Sequence, residues 1–168
     1  MTSDIREFRM QSDYPELIQG GMGVGISNWE LARAVAQAGG RLNKPVLGVV
    51  SGIGLAVTMV NRLRRGDLDT RAALEAFPVL WMAQEIIEEH WLNPDSKLPS
   101  KPEILVTGTE KKKAALIRML VVANFVEVWL AKQGHSSPIG INYLEKIQLT
   151  HLPEIFGAML AGVDYILM

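Results

Sequence analysis

The chain of 168 residues contains no cysteine. It therefore offers no disulfide framework, no thiolate zinc cluster and no cysteine nucleophile. The net charge is only −1, from 17 basic and 18 acidic side chains. This near-zero charge gives no indication of nucleic acid or an anionic membrane as a partner. No apolar run reaches the roughly 18 residues of a membrane span, and residues 1–9 are too polar for a signal peptide. We expect a cytoplasmic protein with one hydrophobic core.

The most distinctive stretch is LIQGGMGVGIS at residues 17–27, with four glycines within six positions. It predicts a short strand, a turn whose backbone a ligand can approach, and a helix beginning at Ser27, because Ser27 and Glu30 have capping-box spacing. An exposed helix N-terminus favours an anion, most commonly phosphate. A tight turn that binds nothing is the other interpretation. Spacing alone does not decide, because the run is neither a P-loop nor a G-x-G-x-x-G fingerprint.

Periodicity in the first half of the chain predicts one helix and one further apolar run. The helix covers residues 27–38 and ends at Gly39 and Gly40. Its predicted buried face consists of Leu31, Ala34, Val35 and Ala38. A short β-prone run follows at residues 46–50, and a flexible turn at residues 51–54 ends it.

The second half of the chain predicts helices and two strands. Residues 55–91 have helical spacing, residues 104–107 form a small strand, and residues 109–132 form the longest helix. Strands at residues 138–143 and 163–168 flank a short helix that Thr150 caps and Gly162 ends. A strand, helix and strand at this spacing form a βαβ unit, so the two strands should run parallel.

Three blocks of sequence resemble the nitronate monooxygenase family, formerly called 2-nitropropane dioxygenase. The first block is PELIQGGMG at residues 15–23 with LARAVAQAGG at residues 31–40. The second is VVANFVEV at residues 121–128 with GINYLEKIQL at residues 140–149. The third, GAMLAGVDYILM, occupies residues 157–168. The blocks occur in the family's order, and together they reach from residue 15 to the end of the sequence.

The resemblance implies an α/β fold, namely part of a TIM (β/α)8 barrel. A whole barrel needs about 250 residues, so we expect an N-terminal fragment holding the first three barrel strands and a helical insertion. Residues 17–20, 138–142 and 163–168 should be neighbouring parallel strands. The expected parts of this one FMN-binding domain, residues 1–168, are a first β/α unit at 15–50, a mainly helical insertion at 51–109, and a helix with a βαβ unit at 110–168.

The resemblance also implies an FMN site at the carboxyl ends of the strands. Its matched cofactor-binding positions are Gly21, Met22 and Gly23, through backbone groups, and Asn142, through its side-chain amide. No catalytic residue is assigned, because the family's catalytic histidine is expected beyond residue 168. We expect His90, His135 and His151 to be structural or exposed. Glu145, Lys146 and Gln148 follow Asn142, and they either line a substrate pocket or form a solvated Glu–Lys pair.

The function implied is the FMN-dependent oxidation of alkyl nitronates with O2. Flavin-dependent enoyl-acyl-carrier-protein reductases of fatty-acid or polyketide synthesis share the Gln-Gly-Gly-Met opening and use NAD(P)H, so this reaction is the alternative. A truncated, inactive product is the third interpretation. The expected partners are a small-molecule substrate and O2, without nucleic acid, membrane or metal. A homo-oligomer and a missing C-terminal part both stay open.

Overall fold

Four short apolar runs form one parallel sheet in the computed structural model, which describes residues 14–42, 44, 46–99, 102–143 and 148–168. The strands are β1 (Leu17–Ile18), β2 (Val46–Ser51), β3 (Ile139–Asn142) and β4 (Tyr165–Leu167). They lie in the order β1-β2-β3-β4, with Leu17 opposite Val46, Gly48 opposite Ile139 and Gly140 opposite Tyr165. The sheet curls into a half-barrel.

Helices fill the connections between these strands. They are α1 (Trp29–Arg41), α2 (Leu55–Arg64), α3 (Leu68–Glu75), α4 (Leu80–His90), α5 (Ile104–Thr107), α6 (Glu110–Ala131) and α7 (His151–Leu160), with a 3-10 turn at Gln148–Thr150 before α7. The longest helix, α6, packs against α1, α2, α3 and α7. It is long and apolar enough to cross a membrane, but 67% of its most apolar window is buried inside the structure. This burial is typical of the core helix of a soluble protein.

The position of β2 corrects the predicted order of strands. The β-prone run at residues 46–50 is a full strand between β1 and β3, so the prediction that residues 17–20 and 138–142 are neighbours is wrong. The reason is that the crossover through α1 returns the chain beside β1, as the shortest βαβ connection does. The described sheet therefore has four strands instead of three. The parallel direction of all strands, and the pairing of β3 with β4, are confirmed.

Helices α2 to α5 lie within residues 51–109, the range of the predicted helical insertion. Because β2 is a strand of the sheet, these helices come between the second and third strands. Residues 104–107 were predicted as a strand but form the short helix α5. The N–H of Thr107 donates to Glu103 O at 3.1 Å and the N–H of Gly108 donates to Ile104 O at 2.8 Å. These local helical hydrogen bonds take the place of hydrogen bonds to a neighbouring strand, because residues 104–107 have no strand partner in the described sheet.

Helix α1 buries a different face from the predicted one. Its buried residues are Trp29, Ala32, Ala36 and Gly39, whereas Leu31 is 43% exposed. Small residues face the sheet because the helix lies very close to β2. A Cβ on Gly48 would be only 2.1 Å from Ala32 O. The predicted end of this helix at Gly39 and Gly40 is also wrong, because the helix continues to Arg41.

Several helix ends follow local sequence rules. Gly66 and Gly162 follow α2 and α7 with φ of +74°, the left-handed conformation that glycine adopts freely, so the predicted end of α7 at Gly162 is confirmed. Asp67 caps α3 by accepting a hydrogen bond from the N–H of Thr70 at 2.8 Å. Thr150 occupies the N-cap position of α7, as predicted, but its side chain makes no capping hydrogen bond.

The close contact of α7 with α6 predicts the effect of a glycine substitution. A Cβ on Gly157 would lie 2.0 Å from Val121 O, so Gly157→Ala must push the two helices apart. We expect a loss of more than about 2 kcal/mol in the free energy of unfolding, measured by urea denaturation. Gly40→Ala is the matched control, because this exposed glycine of α1 meets only the flexible Ser137 side chain. The control should be neutral or stabilising by up to about 1 kcal/mol, and equal stability of the two variants would contradict the contact.

Candidate functional site

Two polar side chains attach both ends of the glycine loop, residues 19–27, to strand β2. The Val49 N–H donates to Gln19 Oε1 at 3.1 Å, and Gln19 Nε2 donates to Ser27 Oγ. Ser27 Oγ in turn donates to Val49 O at 3.0 Å, and the Ser51 N–H donates to Ser27 O at 2.8 Å. The Gln19 amide therefore continues the ladder beyond the end of β1. Because its side chain is bonded to Gln19 and Val49, Ser27 does not cap α1. The cap is Asn28, whose Oδ1 accepts a hydrogen bond from the Leu31 N–H at 3.0 Å.

Between these attachments the loop depends on glycine. Gly21, Gly23 and Gly25 have φ of +59°, +88° and +67°, a region that other residues seldom adopt. Gly21 is also tightly enclosed. A Cβ there would lie 2.4 Å from Val49 Cγ1 and 3.0 Å from Asn142 Cβ. The backbone at Gly21 thus lies directly on the sheet, close to the end of β3.

Asn142 joins the end of β3 to the loop after β1. Its Nδ2 donates to Gly20 O at 2.9 Å and lies 3.5 Å from Met22 Sδ. The structure therefore brings together Gly21, Met22, Gly23 and Asn142, as predicted, because the carboxyl ends of parallel strands share one edge of the sheet. Their role in binding a cofactor stays a prediction.

A buried polar chain fixes the residue after Asn142. The Tyr143 O–H donates to Asn124 Oδ1 at 2.9 Å, and Asn124 Nδ2 donates to Leu120 O at 2.9 Å within α6. Burial, with a smaller contribution from Glu154, raises the pKa of Tyr143 far above its ordinary value, so the phenol stays protonated and keeps this bond. The end of β3 is therefore tied to the core helix.

A small cavity of about 80 Å³ opens between the loop and the strand ends. We call it the glycine-loop cavity, and its lining residues are Gly21, Met22, Gly23, Val24, Ser51, Ile53 and Asn142. These residues include no titratable side chain. The cavity can therefore hold and orient a ligand through backbone groups, an amide and a hydroxyl, but it cannot supply an acid or a base.

Ser51 is the member of this cavity that the sequence analysis missed. It is 2% exposed, and its Oγ has no hydrogen-bond partner among the described residues. A buried hydroxyl without a partner costs about 1–3 kcal/mol, so an unused hydroxyl in a cavity wall points to a ligand. The sequence feature that could have indicated Ser51 is its position at the end of the β-prone run, because parallel sheets carry their sites at the carboxyl ends of the strands.

The N-terminus of α1 does not have the exposed N–H groups that were predicted. The Trp29 N–H donates to Glu127 Oε1 at 2.7 Å, and Glu127 Oε2 forms an ion pair with Arg62 at 2.6 Å. The Glu127 side chain is 3% exposed. The anion at this helix end is thus a carboxylate of the protein itself, and the Trp29 N–H is not available to a phosphate. Sequence pattern could not show this, because 98 residues separate the two groups.

None of the three histidines lines the glycine-loop cavity. His90 is buried, and among the described residues its ring nitrogens have no hydrogen-bond partner. Burial lowers the pKa of His90, Glu89 opposes this shift and Arg64 adds to it, so the ring is neutral at pH 7. A ring nitrogen of His135 lies 2.8 Å from Ala131 O, and the His151 ring lies 5.7 Å from the Tyr143 ring.

The polar residues after Asn142 are only partly described. Glu145 and Lys146 lie outside the described residues, and Gln148 is exposed in the 3-10 turn. In the described part of the chain, no group of three or more histidine, aspartate or glutamate side chains could hold a metal ion.

No family model matches the chain, and no curated protein and no solved structure matches it significantly.

The buried carboxylate of Glu127 predicts a large effect on stability. Glu127→Ala leaves Arg62 without its partner and the Trp29 N–H without its acceptor, so we expect a loss of about 3–5 kcal/mol in the free energy of unfolding. Glu75→Ala is the control, because it removes an exposed pair with Arg71 that contributes about 0.5 kcal/mol or less. Urea denaturation of both variants measures the difference, and a Glu127 variant as stable as the control would disprove the structural role of this carboxylate.

The loop itself predicts a contrast between two glycines. Gly25→Ala should cost about 1–2 kcal/mol for the positive φ alone, since a Cβ there has nothing within 4 Å. Gly21→Ala has the same strain and also collides with Val49 and Asn142, so it should cost about 1–3 kcal/mol more. NMR should show shifts of the Asn142 side-chain amide in the Gly21 variant only. Equal behaviour of both variants would mean that Gly21 does not lie on the sheet.

Proposed function

We propose that this chain is part of an FMN-dependent oxidoreductase of the nitronate monooxygenase type, a cytoplasmic enzyme. The observation that carries the proposal is the convergence of three groups on one cavity at the carboxyl ends of parallel strands. These are the Gly21–Gly23 backbone, the Asn142 amide and the unpartnered Ser51 hydroxyl. The sequence blocks that resemble the family include the first two of them.

The residues present fit one edge of a flavin ring. The cavity of about 80 Å³ is smaller than the roughly 150 Å³ that holds benzene, so it can receive only an edge and not the whole isoalloxazine. In this proposal, Asn142 Oδ1 and Ser51 Oγ hydrogen-bond ring nitrogens and oxygens, while Met22 and Ile53, which also line the cavity, supply apolar contact. When bound, FMN supplies the electron acceptor for oxidation of an alkyl nitronate, with O2 as second substrate.

The chain's own residues bind and orient in this proposal, and none of them is the catalytic base. The cavity has no titratable wall, and the three histidines lie elsewhere. A few hydrogen bonds of about 1 kcal/mol each do not offset the several kcal/mol that association costs. The 168-residue chain should therefore bind FMN weakly and should not oxidise nitronates.

NMR of the purified chain with added FMN tests this proposal. We expect millimolar FMN to shift the amide signals of Gly21, Gly23, Ser51 and Asn142. Ser51→Ala and Asn142→Ala should reduce these shifts, whereas Ser136→Ala, far from the cavity, should not. Consumption of O2 with propyl-2-nitronate, and of NADH with an enoyl thioester, should stay at background. Unchanged loop signals would disprove the flavin site, and tight FMN binding with turnover would show that a catalytic group lies within this chain.

A further inference from the structure

A second, larger cavity lies beside the glycine-loop cavity and shares Ile53 with it. Its volume is about 230 Å³, and it is bounded by the turn after β2, the first turn of α2, Pro99 and Pro102, one face of α6 and the start of α7. We call it the apolar pocket. Most of its wall consists of aliphatic side chains, among them Ala56, Leu116 and Leu120. These three are nearly buried in the protein but keep 6–7% of their exposure, so the wall is accessible from the pocket.

Two polar side chains of α7, together with Thr150 just before that helix, lie in this mostly apolar wall. His151 and Glu154 both line the pocket, one helical turn apart. Burial raises the pKa of Glu154 to about 7, and a hydrogen bond with Thr150 opposes this shift. Below that pH the carboxyl group is uncharged and can donate a hydrogen bond. His151 and Tyr143 are the other titratable groups that the described elements bring near it.

We propose that the apolar pocket binds a medium-length aliphatic chain that ends in an uncharged carbonyl group, with Glu154 donating to the carbonyl oxygen. The volume favours this class, because a cavity of about 150 Å³ holds benzene and this one therefore holds a chain of more than six carbon atoms. The lining favours an uncharged end, because none of its described residues is a lysine or an arginine. The pocket adjoins the proposed flavin edge at Ile53, but binding of this ligand does not require FMN.

Binding of heptan-2-one to the 168-residue chain tests the proposal, with NMR or calorimetry as the measurement at pH 6 and pH 8. At pH 6 we expect binding that shifts the signals of Ala56, Leu120 and Glu154. Raising the pH to 8 ionises Glu154, which removes its proton and weakens binding, by up to about tenfold. Heptanoate should bind more weakly than heptan-2-one at both pH values. Preference for heptanoate, or shifts confined to other parts of the protein, would overturn the proposal.

Two substitutions test separately the contact with the carbonyl group and the contact with the aliphatic chain. Glu154→Gln keeps a hydrogen-bond donor but cannot ionise, so its affinity should resemble that of the native protein at pH 6 and should no longer change with pH. Ala56→Leu fills the pocket and should abolish binding, whereas Ala72→Leu adds the same atoms to an exposed position of α3 and should not. A pH dependence that persists in Glu154→Gln would overturn the role of Glu154. This measurement stays decisive if Ala56→Leu does not fold.

Discussion

The buried carboxylate of Glu127 is the interaction on which the rest of the structure depends. It lies near the C-terminal end of α6, and it joins the first N–H of α1 to the guanidinium of Arg62 on α2. A carboxylate removed from water is stable only when its oxygens are fully bonded. Here one oxygen accepts from Trp29 and the other from Arg62. Three helices that are remote in sequence are therefore held at one point, directly behind the glycine loop.

This arrangement makes the loop rigid at its ends and leaves its middle available. Gln19 and Ser27 bond to β2, and Glu127 holds the helix that follows. The backbone between them curves through three glycines with positive φ, and Asn142 holds Gly20 from the end of β3. A binding site is most effective when supporting residues fix its geometry before the ligand arrives. The partners that fix the loop belong to β2, β3 and α6, and all of them lie outside residues 19–27.

The sequence predicted the parts of the site that obey local rules. Glycine spacing located the loop, and the rule that parallel strands carry sites at their carboxyl ends placed Asn142 beside it. The predicted buried face of α1 was wrong. Helical periodicity indicates the larger apolar residues, whereas the close packing of α1 on β2 requires small residues such as Ala32 and Gly39. Glu127 and Ser51 were missed for another reason. Their importance arises from contacts, or from the lack of a partner, that exist only after distant segments meet.

The outer face of α7 is a largely exposed apolar surface. Leu152, Phe156 and Met159 are 82%, 55% and 61% exposed, on the helix whose Gly157 is pressed against α6. Apolar surfaces of this kind mark contact sites. If the proposed enzyme is a barrel, further β/α units would pair with β4, the edge of the described sheet opposite to β1. They would enclose the glycine-loop cavity only if the extended sheet curled round to meet β1, so the proposed flavin site would be completed by the same closure.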